Sequence, residues 1–324
     1  MRKFLIALYP LLVLCILLKS TACTFISERR YCILSNSAST VSMVSGTDKN
    51  CLSCVLDNNE LVLFDYSGQI LTQKEFDSKI SFMETHKRSI LLLFENNTVE
   101  LYFWNDNELE QVFSKEFSYN VKKTELLEWG ADQDGAVILL ENGELWRSVD
   151  YTRNQELILM EKNIKTAAYN GRGTYLLYID ENGKIKTWCD SSTFHLDLDI
   201  SSDILEDIIE LKVVRVDDED GYIDFIGIGK QNSYYIKSAE GRLFVNQTPD
   251  ISVIPLGVTK GMPTAFLYQK NGKIYYEGPS NMKRRDFGAT NHYTINVPEN
   301  TEVFPFVGGI IYYNDKNIDV LLVP

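Results

Sequence analysis

YLLYIDENGKIKTW, residues 175–188, decides the fold. Two alternating apolar runs flank Asn182-Gly183. Alternation with period two marks a strand with one buried face. Asn-Gly between two such runs predicts a two-residue type I′ hairpin, because that turn needs positive φ at both central residues and Asn and Gly tolerate it. The phrase recurs as SCVLDNNELVLFD (53–65), LLLFENNTVELYF (91–103), AVILLENGELWRS (136–148), SYYIKSAEGRLFVN (233–246), AFLYQKNGKIYYEG (265–278) and GIIYYNDKNIDVLLV (309–323). Asn142-Gly143 and Asn271-Gly272 repeat the strong turn. Asn58-Asn59, Asn96-Asn97 and Glu240-Gly241 are weaker versions, and Asp315-Lys316-Asn317 is longer.

With the second turn residue as marker, Asn59, Asn97, Gly143, Gly183, Gly241, Gly272 and Lys316 are separated by 38, 46, 40, 58, 31 and 44 residues, a mean near 43. The 58 and 31 straddle that mean, and SSDILEDIIELK (201–212) is a natural place for a longer connection. Further strand candidates precede several hairpins: TVSMVSG (40–46), ELLEWGA (125–131), KTAAYNG (165–171) and LKVVRVD (211–217). A repeat of this size with several short strands is a propeller blade. The expected fold is all-β: a seven-bladed β-propeller of about 43-residue blades, each an antiparallel four-stranded sheet. Helical repeats would need a 3.6-residue period, which is absent, and a β-helix has shorter coils. The strand-like ends Arg30–Leu34 and Ile318–Val323 are expected to complete one blade together, which removes exposed edges.

The unit resembles the regulator of chromosome condensation repeat. IKTAAYNGRGTYLLYIDENGKIKTWCD (164–190) carries the resemblance best, through Gly173, Gly183 and Trp188. EWGADQDGAVILLENGELWRS (128–148) and VTKGMPTAFLYQKNGKIYYEG (258–278) also fit, and most of residues 36–324 follow the pattern in degenerate form. Two departures stand out: the terminal Trp-Gly is Trp188-Cys189 or Glu277-Gly278, and the Gly-Gln-Leu-Gly linker is missing. The resemblance implies a seven-bladed propeller. Members of the family include nucleotide-exchange and chromatin-binding proteins, and an exported relative inhibits a β-lactamase with one propeller face.

The chain begins like an export signal. Arg2 and Lys3 precede the uncharged apolar run Phe4–Leu18, and Ser20 and Ala22 stand at −3 and −1 of a cut after Ala22. A membrane anchor is the competing reading, but the run has 15 residues and contains Pro10, whereas a spanning helix needs about 20. The expected organisation is a signal peptide over 1–22 and one propeller domain over 23–324. Cys23, directly after the cut, is a candidate lipid-bearing residue, although Ser20 and Lys19 depart from the bacterial lipoprotein pattern. Lipid there would leave four of the five mature cysteines, Cys32, Cys51, Cys54 and Cys189, an even number. Cys51-x-x-Cys54 lies in a strand-like segment without a second such pair, so a bridge from Cys32 to one of the two is preferred to zinc or redox chemistry.

Loss of the leader takes the formal net charge from −13 to −16. Such a chain repels phosphate backbones, so nucleic acid is not an expected partner. No Gly-rich phosphate loop, G-x-S-x-G or H-E-x-x-H is present, and no cofactor or metal is expected. His195 in FHLDLDI reads as a surface strand residue. Asp217-Asp218-Glu219-Asp220-Gly221 lacks the spacing of a calcium loop and reads as a solvated turn. Trp104, Trp146 and Trp188 are expected between blades, and Trp129, before the loop Gly130–Gly135, is the candidate binding anchor. Asn96 and Asn246 begin glycosylation sequons. The resulting expectation is a monomeric secreted or surface-attached binding module. It would hold a protein partner by loops on one face and touch a membrane only through a lipid at Cys23. The alternatives are a carbohydrate-active enzyme with carboxylates at the channel mouth, or a lectin. The turn-following residues Glu60, Thr98, Glu144, Lys184, Arg242 and Lys273 vary too much for one repeated sugar site.

Overall fold

A computed structural model of the chain describes residues 29–33, 38–45, 50–56, 59–65, 67, 69–129, 133–149, 155–169, 175–189, 192–195, 200–217, 222–239, 242–248, 254–259, 265–270, 273–278, 291–295, 301–306, 309–314 and 317–322. The leader 1–22, Cys23 and most of the acidic stretch 217–221 lie outside the described residues.

The chain begins with β1 (Arg29–Ile33). Sheet one follows as β2 (Ala38–Ser45), β3 (Asn50–Leu56), β4 (Glu60–Phe64) and β5 (Ile70–Glu75). Sheet two is β6 (Ile80–His86), β7 (Ser89–Phe94), β8 (Thr98–Trp104) and β9 (Leu109–Glu116). Sheet three is β10 (Val121–Trp129), β11 (Gln133–Leu140), β12 (Leu145–Val149) and β13 (Glu156–Glu161). Sheet four is β14 (Ile164–Tyr169), β15 (Tyr175–Asp180), β16 (Ile185–Cys189) and β17 (Ser192–His195). A short helix, α1 (Ser202–Asp207), leads into sheet five: β18 (Ile208–Asp217), β19 (Tyr222–Gly229), β20 (Ser233–Ala239) and β21 (Arg242–Thr248). Sheet six is β22 (Ile254–Thr259), β23 (Ala265–Lys270), β24 (Lys273–Gly278) and β25 (Asn291–Ile295). Sheet seven contains β26 (Glu302–Phe306), β27 (Gly309–Asn314) and β28 (Asn317–Leu322), with β1 as its fourth strand. β1 runs antiparallel to β28, from Arg29 opposite Leu321 to Ile33 opposite Asn317. All pairings are antiparallel, and each sheet has four strands. The first strands of successive sheets lie side by side, from β2 and β6 through to β22 and β26, and β26 lies against β2.

Apolar clusters between neighbouring sheets hold the stack together. On β7, Ile90, Leu92 and Phe94 face sheet one, while Leu91 faces sheet three. On β11, Ala136, Ile138 and Leu140 face sheet two, and Val137 and Leu139 face sheet four. On β15, Leu176 and Tyr178 face sheet three, and Leu177 and Ile179 face sheet five. These second strands are buried on both faces, which corrects the expectation of one buried face. Their continuous apolar runs, SILLLF and AVILL, are the sequence form of a doubly covered strand. Truncating a leucine in such a cluster to alanine costs about 2–5 kcal/mol. The tryptophans pack as expected. Trp104 is buried between sheets one and two, Trp188 between three and four, and Trp146 stacks edge-on to Phe117 at 5.7 Å between two and three.

The hairpin turns differ from type I′. At Gly143 and Gly183 φ is +79° and +75°, and at Asn97 it is +64°, whereas Asn142, Asn182 and Asn96 do not have positive φ. The Gly143 N–H donates to Leu140 O at 3.0 Å and the Leu140 N–H to Glu144 O at 2.9 Å. This is a three-residue loop, a type I turn closed by one left-handed residue. In sheet five the recurring phrase also changes phase. SYYIKSAEGRLFVN forms β20 and β21, the third and fourth strands, not the second and third. The equivalent turn is Lys230-Gln231: the Lys230 N–H donates to Asp207 O, as Glu95, Glu141 and Glu181 donate to Lys79, Asn120 and Asn163. Counted from Gln231, the neighbouring intervals become 48 and 41 residues in place of 58 and 31. The irregular spacing came from a slip by one hairpin.

Candidate functional site

One end of each sheet gathers three features: the start of its first strand, the turn between its second and third strands, and the connection from the preceding sheet. The pairs Ile80–Phe94, Val121–Leu140, Ile164–Asp180 and Ile208–Gly229 fix this arrangement in sheets two to five. Hydrogen bonds between sheets align those ends. The Val121 N–H donates to Asn97 Oδ1 at 3.3 Å, and the Ile164 N–H donates to Gly143 O at 2.9 Å. The result is a common turn face.

The first strands are also welded to one another. Glu84 on β6 accepts the Leu126 N–H of β10 at 2.7 Å. Glu125 on β10 accepts the Tyr169 N–H of β14 at 2.8 Å. Thr166 on β14 accepts the Leu211 N–H of β18 at 3.0 Å. Lys123 spans three sheets, donating to Ala167 O at 2.9 Å and Leu211 O at 2.7 Å beside Glu125 Oε1 at 3.0 Å. Backbone groups that an inner strand leaves unpaired are satisfied this way. These carboxylates hold structure and are charge-assisted acceptors.

A β-bulge sits near the start of the first strand in sheets one to six. A bulge re-aims one side chain. In sheets three and four the residue out of register is Lys122 or Lys165, and each reaches the next sheet. Lys122 donates to Lys165 O at 2.8 Å, and Lys165 to Glu206 O at 2.7 Å and Leu205 O at 3.0 Å, closing the C-terminal end of α1. Burial, and then the charge of Lys230, holds the Lys165 ammonium below the usual lysine range. In sheet five the same position is Ile209, which is exposed. Phe82 on β6, Tyr119 in the connection before β10 and Ile209 on β18 are 40%, 54% and 42% exposed, one near the turn-face end of each of sheets two, three and five.

Trp129, the binding anchor named from the sequence, lies at the other end of its sheet. Trp129 ends β10 opposite Gln133, at the end of sheet three remote from the turn face, and its side chain lies outside the described residues. The loop after it is 130–132, shorter than expected because β11 begins at Gln133. Cys32 is on β1 in sheet seven, and Cys51 and Cys54 are on β3 in sheet one, so the two strands belong to different sheets. Their side chains are outside the described residues. Asn96 is exposed on its turn, where its Oδ1 accepts the Thr98 N–H at 3.1 Å. Asn246 lies within β21 opposite Tyr235, and His195 ends β17 opposite Lys186. The signal for Phe82, Tyr119 and Ile209 was available only as large apolar residues next to strand starts, which most core positions share.

The same arrangement of sheets occurs in solved β-propellers. The β-propeller domain of Cps50 (Swd1) from Myceliophteria thermophila superposes with a TM-score of 0.56 at 14% identity, covering 90% of this chain and 98% of that one. The WD40 domain of SCAP from fission yeast gives 0.52 at 10% identity, over 87% and 84%. YCF48 bound to D1 peptide gives 0.54 at 11% identity, over 91% and 97%. No family model and no curated protein matches the chain. The fold is that of a β-propeller built from antiparallel four-stranded sheets.

Proposed function

We propose that the seven sheets are the blades of one closed propeller, with β1 fastening the N-terminal end into the last blade. We further propose that the chain is an exported or surface-attached module that holds a protein partner on its turn face. The exposure of Phe82, Tyr119 and Ile209 near the turn-face ends of three sheets carries this reading, because solvated aromatic and branched apolar residues are the material of interface hot spots. YCF48, a propeller solved with a bound peptide, supports a protein partner. The basic start, apolar run and small residues of 1–22 support export, with Cys23 as the lipid candidate. The motif in 164–190 supports a degenerate regulator of chromosome condensation-like repeat. Engagement of Glu84 and Glu125 by backbone amides ranks binding above carbohydrate chemistry at the channel mouth.

The test is site-specific photocrosslinking in the native host, with a benzophenone residue at Tyr119 or at Trp129. A protein adduct from Tyr119 alone is expected. An adduct from Trp129 alone would move the interface to the opposite end. Intact mass of the same material tests export: a chain beginning at Cys23, with or without acyl mass, is expected, and one beginning at Met1 would overturn it.

A further inference from the structure

We propose that the free edge of β13 is a second interaction surface, one that accepts an extended apolar segment with a basic residue at each end. Among the described residues β13, the last strand of sheet three, pairs with β12 alone, and Met160 is bulged out of that ladder between Leu159 and Glu161, which leaves 156–159 as the regular part of the edge. Any outer strand offers a row of backbone donors and acceptors, and proteins normally guard such rows with charge. β5 carries Lys74 within its span, and β9 carries Glu110 and Lys115, while β17, β21 and β25 have no internal charge but are interrupted by polar residues, Thr193, Asn246-Gln247 and His292 with Thr294. Between Glu156 and Glu161, β13 reads Leu157-Ile158-Leu159-Met160, with no charge. Ile158 and Leu159 are 38% and 37% exposed. As neighbours in a strand they point to opposite faces, so the edge is apolar above and below. An added strand would gain the main-chain ladder and cover both side chains.

The occupant is decided by the ends. A second copy pairing antiparallel, with Ile158 opposite Leu159, would set Glu156 against Glu161 at both ends, and like charges directly opposite are destabilising. A segment with Lys or Arg at both ends instead meets a glutamate at each, the exposed Glu156 at one end and, at the other, Glu161, whose carboxylate also lies 3.8 Å from the Lys186 ammonium. This surface is on the rim of sheet three and is independent of the turn-face reading.

The test uses the whole mature chain and two fluorescein-labelled hexapeptides, RVTVTR and EVTVTE. The basic peptide is expected to bind at least tenfold more tightly. Glu156→Lys with Glu161→Lys should reverse that preference, and Ile158→Lys, at an exposed site, should weaken the basic peptide at least tenfold. Alternate amides of 156–159, the regular part of the edge, should gain hydrogen-exchange protection when it binds. Equal or absent binding of the two peptides, protection confined to other segments, or a chain dimer that Ile158→Lys dissociates would each overturn the proposal.

Discussion

Between β15 and β16 the chain reverses on Glu181-Asn182-Gly183, and between β19 and β20 on Lys230-Gln231, yet only the first reversal is written in its own residues. In the first, Asp180 supplies the carboxylate: its Oδ1 accepts the N–H groups of Asn182 at 3.0 Å and Lys184 at 2.9 Å. Gly183 then takes φ +75°, which costs glycine nothing sterically. In the second, the carboxylate comes from α1. Asp207 Oδ1 accepts the Gln231 N–H at 3.2 Å, Oδ2 accepts the Tyr234 hydroxyl at 2.7 Å, and the Asp207 carbonyl accepts the Lys230 N–H at 3.1 Å. Both turns need an aspartate over their amides. One finds it adjacent in the chain, and the other imports it from more than 20 residues upstream.

The largest way to break this comparison is at Gly229. A Cβ there would lie 2.1 Å from Asp207 Oδ2 and 2.7 Å from the backbone Asn232 O. Gly229→Ala should expel the imported carboxylate and lose about 3 kcal/mol, at the upper end of overpacking costs, read from the urea midpoint. A loss no greater than that of an exposed Gly→Ala elsewhere would mean that α1 is not seated on the turn. Next is Asp207→Ala, which leaves the Tyr234 hydroxyl and the Gln231 amide without this acceptor. About 2 kcal/mol is expected, with faster amide exchange at 230–232 and none of that change at 181–184. The first turn is the control. Gly183→Ala meets only Leu205 Cβ at 3.8 Å, so its cost is the left-handed backbone alone, about 1 kcal/mol. Equal losses at Gly183 and Gly229 would erase the distinction between the two turns.

The same contrast explains what could be read before the structure. Alternating runs and Asn-Gly pairs act over a few residues, so four-stranded units and their approximate length were legible. In sheet five the visible Glu240-Gly241 pair lies between the third and fourth strands, and the true second turn, Lys230-Gln231, has no turn chemistry of its own. Periodicity alone then slipped by one hairpin. The exposed residues of the turn face were less legible still. Exposure of Phe82 and Ile209 depends on bulges and on what the adjacent sheet covers, and Lys123 reaches Leu211 from 88 positions away. Trp129 stands out because tryptophan is often an anchor, but residue type alone does not place it at one end of its sheet or the other.

The smallest effect is a proton linkage confined to the imported turn. Burial first, then donation to Asp207, push the Tyr234 hydroxyl above the ordinary tyrosine value; Asn232 pulls the other way, and the charge of the Asp207 carboxylate adds the smallest share. The folded chain therefore keeps this proton at a pH where the unfolded chain has begun to lose it, just above the ordinary value of 10.0. Below that pH both states hold the proton and the contribution is fully present. As pH rises above it the unfolded state binds fewer protons, so stability falls. Tyr102 in sheet two is raised as well, by burial and by Glu100, so the whole chain should lose stability in alkali. The two contributions separate by substitution. Tyr234→Phe has no proton to hold, and its urea midpoint should fall less steeply than the wild type between about pH 9.5 and 11, while Tyr102→Phe removes the other share. If Tyr234→Phe runs parallel to the wild type across that range, the hydroxyl is not held by Asp207 in solution, and the fifth turn rests on α1's backbone alone.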